Sequence, residues 1–176
     1  KIGEVRLKFA GFGGQGALTA GAMVAEAGMN EGYKASWIPS YGPEMRGGTA
    51  NCSVIVSDHH IGTPLVKNPD VLVAMNGPSL DAFEKDVVKD GLIIVNSSIV
   101  SRKVERKDVK ALYVPLTEMA SNLGLKAVAN SVSVGVLLKN RELFGREAVY
   151  NVLSSSLKKK NTLDLNIKAV DAGFAF

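Results

Sequence analysis

The stretch Gly11-Phe12-Gly13-Gly14-Gln15-Gly16 constrains this chain more than any other, because its glycines separate a strand pattern from a helix pattern. Val5-Arg6-Leu7-Lys8-Phe9 alternates apolar and charged residues, as a half-buried strand does, and runs through Ala10 into the glycines. Ala17 to Met29 has the period of a helix, with Leu18, Ala22, Ala25 and Met29 expected on one face. Strand, glycine loop and helix N-terminus in that order make an anion site. Unpaired backbone N–H groups and the positive end of the helix dipole converge on one spot, and glycine lets a phosphate come close. The spacing also satisfies the dinucleotide pattern G-x-G-x-x-G. A tight strand-to-helix turn with no ligand satisfies it equally.

The rest of the chain alternates in the same way. Tyr33 to Ile38 reads as a second strand closed by Pro39, and Thr49 to Ser57 as a third. Val71 to Met75, Leu92 to Val95 and Ala111 to Val114 are short apolar runs bounded by turn residues, as in strands buried on both faces. Helices are expected over Leu80 to Lys89 with Ser79 as cap, and over Leu116 to Leu123, stopped by Gly124. Further helices are expected from Asn130, as cap, to about Leu143, then over Arg146 to Lys158 and Asn166 to about Gly173. This order predicts an α/β class, a Rossmann-like layered domain with a mainly parallel sheet and helices on both faces. With 176 residues and no low-complexity linker, residues 1–176 are expected to form a single domain.

Several chemistries lack their residues. Cys52 is the only cysteine, so the chain cannot supply a disulfide framework or the thiolates of an iron–sulfur cluster. It is read as a small buried hydrophobe. His59 and His60 are adjacent, and on an extended segment they would point apart, which disfavours a shared metal. The second strand ends Trp37-Ile38-Pro39-Ser40, without the acid that a nicotinamide dinucleotide needs for its ribose. No Walker-type loop and no G-x-S-x-G occurs, and no catalytic set is found. The net charge is +4, but Glu105 and Asp108 interrupt the basic run Arg102 to Lys110, so no nucleic-acid partner is expected. Lys158 to Lys160 is read as the exposed end of a helix, where cations suit the dipole. No apolar run of membrane-spanning length and no basic-then-apolar leader is seen, which gives the expectation of a cytoplasmic protein without a membrane partner.

A second loop, Tyr41-Gly42-Pro43-Glu44-Met45-Arg46-Gly47-Gly48, sets an aromatic, an acid and an arginine among glycines and a proline. The arginine fork suits carboxylate or phosphate, and the glycines allow a ligand or another backbone to pack close. Local pairing of Glu44 with Arg46, stiffening the loop, is the alternative.

Four separated motifs then carry a resemblance. They are Gly11 to Gly16, Pro39 to Cys52, Pro69-Asp70-Val71-Leu72-Val73-Ala74-Met75-Asn76, and Val95-Asn96-Ser97-Ser98. Together, in this order and over roughly the whole chain, they resemble the gamma subunit of 2-oxoacid:ferredoxin oxidoreductases. The form Ser40-Tyr41-Gly42-Pro43-Glu44-Met45-Arg46-Gly47-Gly48-Thr49-Ala50-Asn51 is most similar to the 2-oxoglutarate (2-ketoglutarate) type. The resemblance implies one subunit of an enzyme that decarboxylates a 2-oxoacid, passes the acyl group to coenzyme A (CoA) and reduces ferredoxin. It implies alpha, beta and ferredoxin-like delta subunits as partners, with thiamine diphosphate, magnesium and iron–sulfur clusters on those partners only. This subunit is then inactive alone and completes the site on the CoA side. Gly11, Gly13, Gly14, Gln15, Gly16 and Arg46 are the expected CoA contacts. Tyr41, Glu44, Met45, Arg46, Gly47 and Gly48 are the expected partner interface or active-site loop. Alternatives are a gamma subunit for pyruvate or a branched-chain 2-oxoacid, or a stand-alone nucleotide-binding or scaffolding module.

Overall fold

The computed structural model describes residues 2–13, 15–40 and 49–176. Six strands form one sheet: β1 (Glu4–Phe12), β2 (Lys34–Ser40), β3 (Thr49–Ser57), β4 (Val71–Ala74), β5 (Leu92–Asn96) and β6 (Lys110–Val114). Their order across the sheet is β2-β3-β1-β4-β5-β6. β4, β5 and β6 run parallel to β1, while β3 is antiparallel to both of its neighbours. The α/β class with a mainly parallel sheet is therefore observed. Pro39 lies inside β2 rather than after it. That is tolerated because β2 is an edge strand, where a missing N–H costs no ladder bond on the open side.

Helices cover the two faces unequally. α1 (Ala17–Asn30), α3 (Leu116–Leu123), α4 (Ala129–Asn140), α5 (Arg146–Ser156) and α6 (Lys160–Ala175) share one core with Leu7, Phe9, Val54, Val73 and Ile94 of the sheet. The other face is covered by α2 (Gly77–Phe83) and the segments after it, through Leu80, Val87 and Val100 on Leu72, Ile93 and Val95. β4 and β5 are buried along their whole length between these layers, as their continuous apolar runs require.

Five local expectations need correction, the first being that Ala111 to Val114 is buried on both faces: β6 is an edge strand of which only Val114 is buried. The face of α1 that meets the sheet is Ala20, Gly21, Val24, Ala27 and Gly28, while Met29 is 54% exposed. α1 is pressed so close to β3 that a Cβ on Gly21 would collide with Cys52 Sγ, and one on Gly28 would lie 3.0 Å from Val56 Cγ1. Close approach selects the small residues for the inner face and leaves the large Met29 outside. α2 begins earlier than its apolar residues indicate, and its cap is Asn76, whose Oδ1 accepts from Ser79 N at 2.8 Å. Asn130 lies inside α4 rather than capping it, because a 3-10 turn at Lys126–Val128 runs directly into that helix. α6 starts at Lys160, which places that lysine at a helix N-terminus, opposite to the favourable end of the dipole. Gly124 does end α3, with φ 109°.

The basic segment after β5 is tied down by ion pairs rather than free. Arg102 bridges Asp81 and Glu84 at 2.9 and 2.8 Å, and Arg106 pairs with Asp108 while donating to the carbonyls of Glu84 and Val87.

Candidate functional site

In an open parallel sheet, the crevice lies outside the carboxyl ends of the strands, where the connections diverge to opposite sides. Here that point is between β1 and β4, and the glycine loop lies there. Gly11 is the last buried residue of β1, and a Cβ on it would lie 2.8 Å from both Gln15 Oε1 and Met75 Cβ. Gln15 folds back over the strand ends. Its Oε1 accepts from Phe12 N at 2.6 Å, and its Nε2 donates to the Met75 carbonyl at 3.2 Å. Asn76 Nδ2 donates to the same Gln15 oxygen at 3.4 Å. Asn96, fully buried at the end of β5, donates to the Met75 carbonyl at 3.2 Å and to Thr117 Oγ1 at 3.0 Å. Gln15, Asn76 and Asn96 thus form a continuous amide ladder across the ends of β1, β4 and β5. The sequence alone assigns no role to Asn76 and Asn96; the signal is an asparagine that closes each buried apolar run, Val71 to Met75 and Leu92 to Val95.

Gly16 caps α1 in the left-handed conformation, φ 82°, and no side chain caps this helix. A Cβ on Gly16 would lie 2.8 Å from Asn130 Cβ, so both backbone and neighbour demand glycine here. Ala20 N donates to the Gly16 carbonyl at 2.8 Å, while the N–H groups of Ala17, Leu18 and Thr19 precede the first intrahelical bond. No acid occupies the first turn. A cavity of about 270 Å³ opens on this turn, lined by Phe12, Gly13, Gly16, Leu18, Thr19 and Ala50. Gly13 is exposed at its mouth, and Gly14 lies outside the described residues. These groups can hold an anion; they offer no acid, base or nucleophile.

Around the cavity, Trp37 Nε1 donates to the Leu18 carbonyl at 3.1 Å. Cys52 is buried behind the first turn, its Sγ 3.5 Å from the Ala17 carbonyl, and burial pushes its thiol up to about 11. That fits the reading of a packed, inert thiol. The second loop, with Tyr41, Glu44, Met45, Arg46, Gly47 and Gly48, lies outside the described residues. Its two ends are nevertheless placed: Thr49 and Ala50 of β3 pair with Phe12 and Gly11, and Ser40 pairs with Asn51. Both glycine-rich motifs therefore start from the same corner of the sheet.

Elsewhere, His59 is exposed, with Nδ1 3.0 Å from Asp58 Oδ1. Among the described residues no group of three His, Cys, Asp or Glu side chains is arranged to hold a metal, and no helix is long and apolar enough to cross a membrane.

This chain is similar to several known proteins. Ketoisovalerate oxidoreductase subunit VorA of Methanothermobacter thermautotrophicus is 42% identical over 97% of this chain, and the chain spans only 36% of that relative. The 2-oxoglutarate synthase subunit KorC of the same organism is 34% identical, covering 97% of this chain and 94% of the relative. The gamma subunit of a keto/oxoacid ferredoxin oxidoreductase from Geobacter sulfurreducens superposes with a TM-score of 0.85 at 30% identity, over 97% of this chain and 96% of that one. A 2-oxoglutarate:ferredoxin oxidoreductase from Magnetococcus marinus has the same fold, with a TM-score of 0.89 at 21% identity over 99% of this chain and 31% of that one. The family model for pyruvate ferredoxin/flavodoxin oxidoreductase matches residues 6–176, and the chain belongs to that family, in its gamma-subunit form.

Proposed function

We propose that this chain is the gamma subunit of a multi-subunit 2-oxoacid:ferredoxin oxidoreductase and that it completes the active site on the CoA side. The complex converts a 2-oxoacid, CoA and oxidised ferredoxin into acyl-CoA, carbon dioxide and reduced ferredoxin. One observation carries this reading: the uncapped N-terminus of α1 opens at the sheet's divergence point, with glycines around it and, among the described residues lining the cavity, no acid or base. Such a site binds a phosphate and leaves the chemistry to other chains. The single buried cysteine of this chain cannot ligate a cluster, which supports placing the iron–sulfur clusters on the partners, and the family resemblance places thiamine diphosphate and magnesium there as well, on alpha, beta and delta subunits. The Magnetococcus marinus protein of the same fold was solved with 2-oxoglutarate, CoA and succinyl-CoA bound. Arg46 and its loop, leaving the same corner as the glycine loop, are proposed to meet the partner or the coenzyme. The complex is proposed to work in the cytoplasm.

For the oxoacid, the loop motif from Ser40 to Asn51 favours 2-oxoglutarate. The 42% identity to the ketoisovalerate subunit, against 34% to the 2-oxoglutarate subunit, favours a branched-chain acid as the second reading. The test is reconstitution. The purified chain is expected to be colourless and inactive, and mixing it with its partners should give CoA-dependent viologen reduction with one of 2-oxoglutarate, ketoisovalerate or pyruvate. In that complex Gly13→Asp sets a negative charge at the anion site and should raise the apparent Michaelis constant for CoA at least tenfold, with that for the oxoacid unchanged. Turnover by this chain alone, or an unaltered CoA requirement in the variant, refutes the assignment.

A further inference from the structure

A trough of about 300 Å³ runs along α1, between that helix and the ends of α5 and α6. Its α1 wall is Thr19, Ala22, Met23 and Glu26, an i, i+3, i+4, i+7 stripe on one helix face, about 10 Å long at 1.5 Å per residue. Val152 and Leu153 of α5 form part of the remaining wall, and Leu125 at the edge is 39% exposed. The rim is cationic. Lys126 stands between the lining residues Leu125 and Ala127, and Lys158, Lys159 and Lys160 stand between the lining residues Leu157 and Thr162. All four lysines are exposed, and none has an ion pair among the described residues. Arg6, Arg102, Arg106 and Arg146, by contrast, each have a carboxylate partner. α6 begins at Lys160 with no acid in its first turn, so its dipole adds to the positive field there.

We propose that this trough docks an acidic amphipathic helix of another polypeptide, its apolar side chains seated along α1 and its carboxylates meeting Lys126 and Lys158 to Lys160. Two turns of stripe match the i, i+3 or i+4, and i+7 side chains of one helix laid along it. The volume is at the bottom of the range that encloses a small molecule, and suits a few inserted side chains. Charge decides the rest of the partner. The apolar wall alone would accept any hydrophobic helix, whereas four unpaired cations on the rim attract carboxylates and repel a basic helix. A nucleic acid would use the lysines and leave the trough bare, and a bilayer takes apolar side chains that protrude, not a concave wall. The inference is independent of the CoA-side reading, since it concerns what holds this chain to another and not a ligand of the glycine loop.

The test uses the full chain and three fluorescein-labelled synthetic helices of about 20 residues, long enough to hold helix alone. The first repeats leucine at i, i+3, i+4 and i+7 with glutamate on its outer face. The second carries lysine in place of the glutamates, and the third keeps the glutamates but carries alanine in place of the leucines. Fluorescence anisotropy at low salt should show the first binding at least tenfold tighter than either control. Ala22→Trp fills the trough from its half-buried wall, and the combined reversal Lys158→Glu, Lys159→Glu and Lys160→Glu changes only exposed residues. Each should weaken the first helix tenfold or more, with melting curves confirming that both variants fold. Wild-type affinity in either folded variant overturns the proposal, as does equal affinity for the leucine and alanine helices, or no binding of the first helix to the wild-type chain. Binding to phosphatidylserine vesicles that the charge reversal abolishes, with no binding of the first helix, also overturns it and makes this face a membrane surface.

Discussion

The contact between α4 and α6 gives the sharpest stability test, because the same substitution should act with opposite signs at two glycines. Gly135 and Gly173 face each other's helix, backbone on backbone. A Cβ on Gly135 would collide with the Val170 carbonyl oxygen and lie 2.8 Å from Phe174 N; one on Gly173 would collide with the Val132 carbonyl oxygen and lie 2.9 Å from Val136 N. Neither neighbour is a flexible side chain, so the helices must separate. Overpacking of this kind costs ~1–3 kcal/mol, and rigid backbone on both sides puts it at the upper end. Alanine in a helix interior returns about 1 kcal/mol in propensity. The net loss for Gly135→Ala is then about 2 kcal/mol, or ~4–8 °C in melting temperature for a chain of this size. Gly77, at the start of α2, has nothing within 4 Å of its would-be Cβ, and Gly77→Ala should be neutral or stabilise by up to about 1 kcal/mol. Thermal and urea unfolding followed by circular dichroism measure both. A Gly135→Ala protein that melts with or above wild type, or a Gly77→Ala protein that falls equally far, refutes the argument from contact.

Cys52 should resist alkylation by iodoacetamide at pH 8 in the folded chain and react readily in denaturant, since it is buried and its thiol is pushed up to about 11; rapid native-state modification would contradict this. Burial alone would raise the Glu84 carboxyl, but bonds from the Arg102 side chain and the Arg106 and Glu105 N–H groups outweigh it and lower it below its ordinary value. A lowered carboxylate stabilises the fold above the unfolded-state value of about 4.3 and loses that effect as pH falls through the folded-state value. Glu84→Gln should therefore cost about 1–3 kcal/mol near neutrality and progressively less below about pH 4, by urea unfolding across pH; a cost that grows on acidification would reverse the assigned sign. Gly16→Ala should lower stability by about 1–3 kcal/mol through the left-handed φ and the Asn130 contact, measured by thermal melt, with an unchanged melt excluding both causes.

The strands were readable because their signals are local. Thr49 to Ser57 forms a strand over the residues expected, and the apolar runs of β4 and β5 are buried on both sides as expected. The inner face of α1 was not readable. Hydrophobicity ranks Leu18 and Met29 above Gly21 and Gly28, whereas the distance to β3 selects for smallness, and that distance is a property of the packed pair. Asn130 was misread for a related reason: an asparagine before an apolar run is an ordinary cap, and only the preceding 3-10 turn moves it inside. That the glycine loop joins a strand end to a helix N-terminus was legible. The amide ladder of Gln15, Asn76 and Asn96 was not, because its members lie far apart in sequence and meet only at the ends of parallel strands.

The close fit of α6 against α4 also sets an order of events during synthesis. Residues Ala129 to Leu138 are buried on every side, and part of that cover comes from Ala169, Val170 and Gly173. Until those residues have left the ribosome, α4 keeps an apolar flank with no native partner, while the strands and α1 already have theirs. The nascent chain thus carries a completed sheet before it has a closed helical layer. In that interval the exposed flank of α4 is the surface most open to a chaperone or to misassociation.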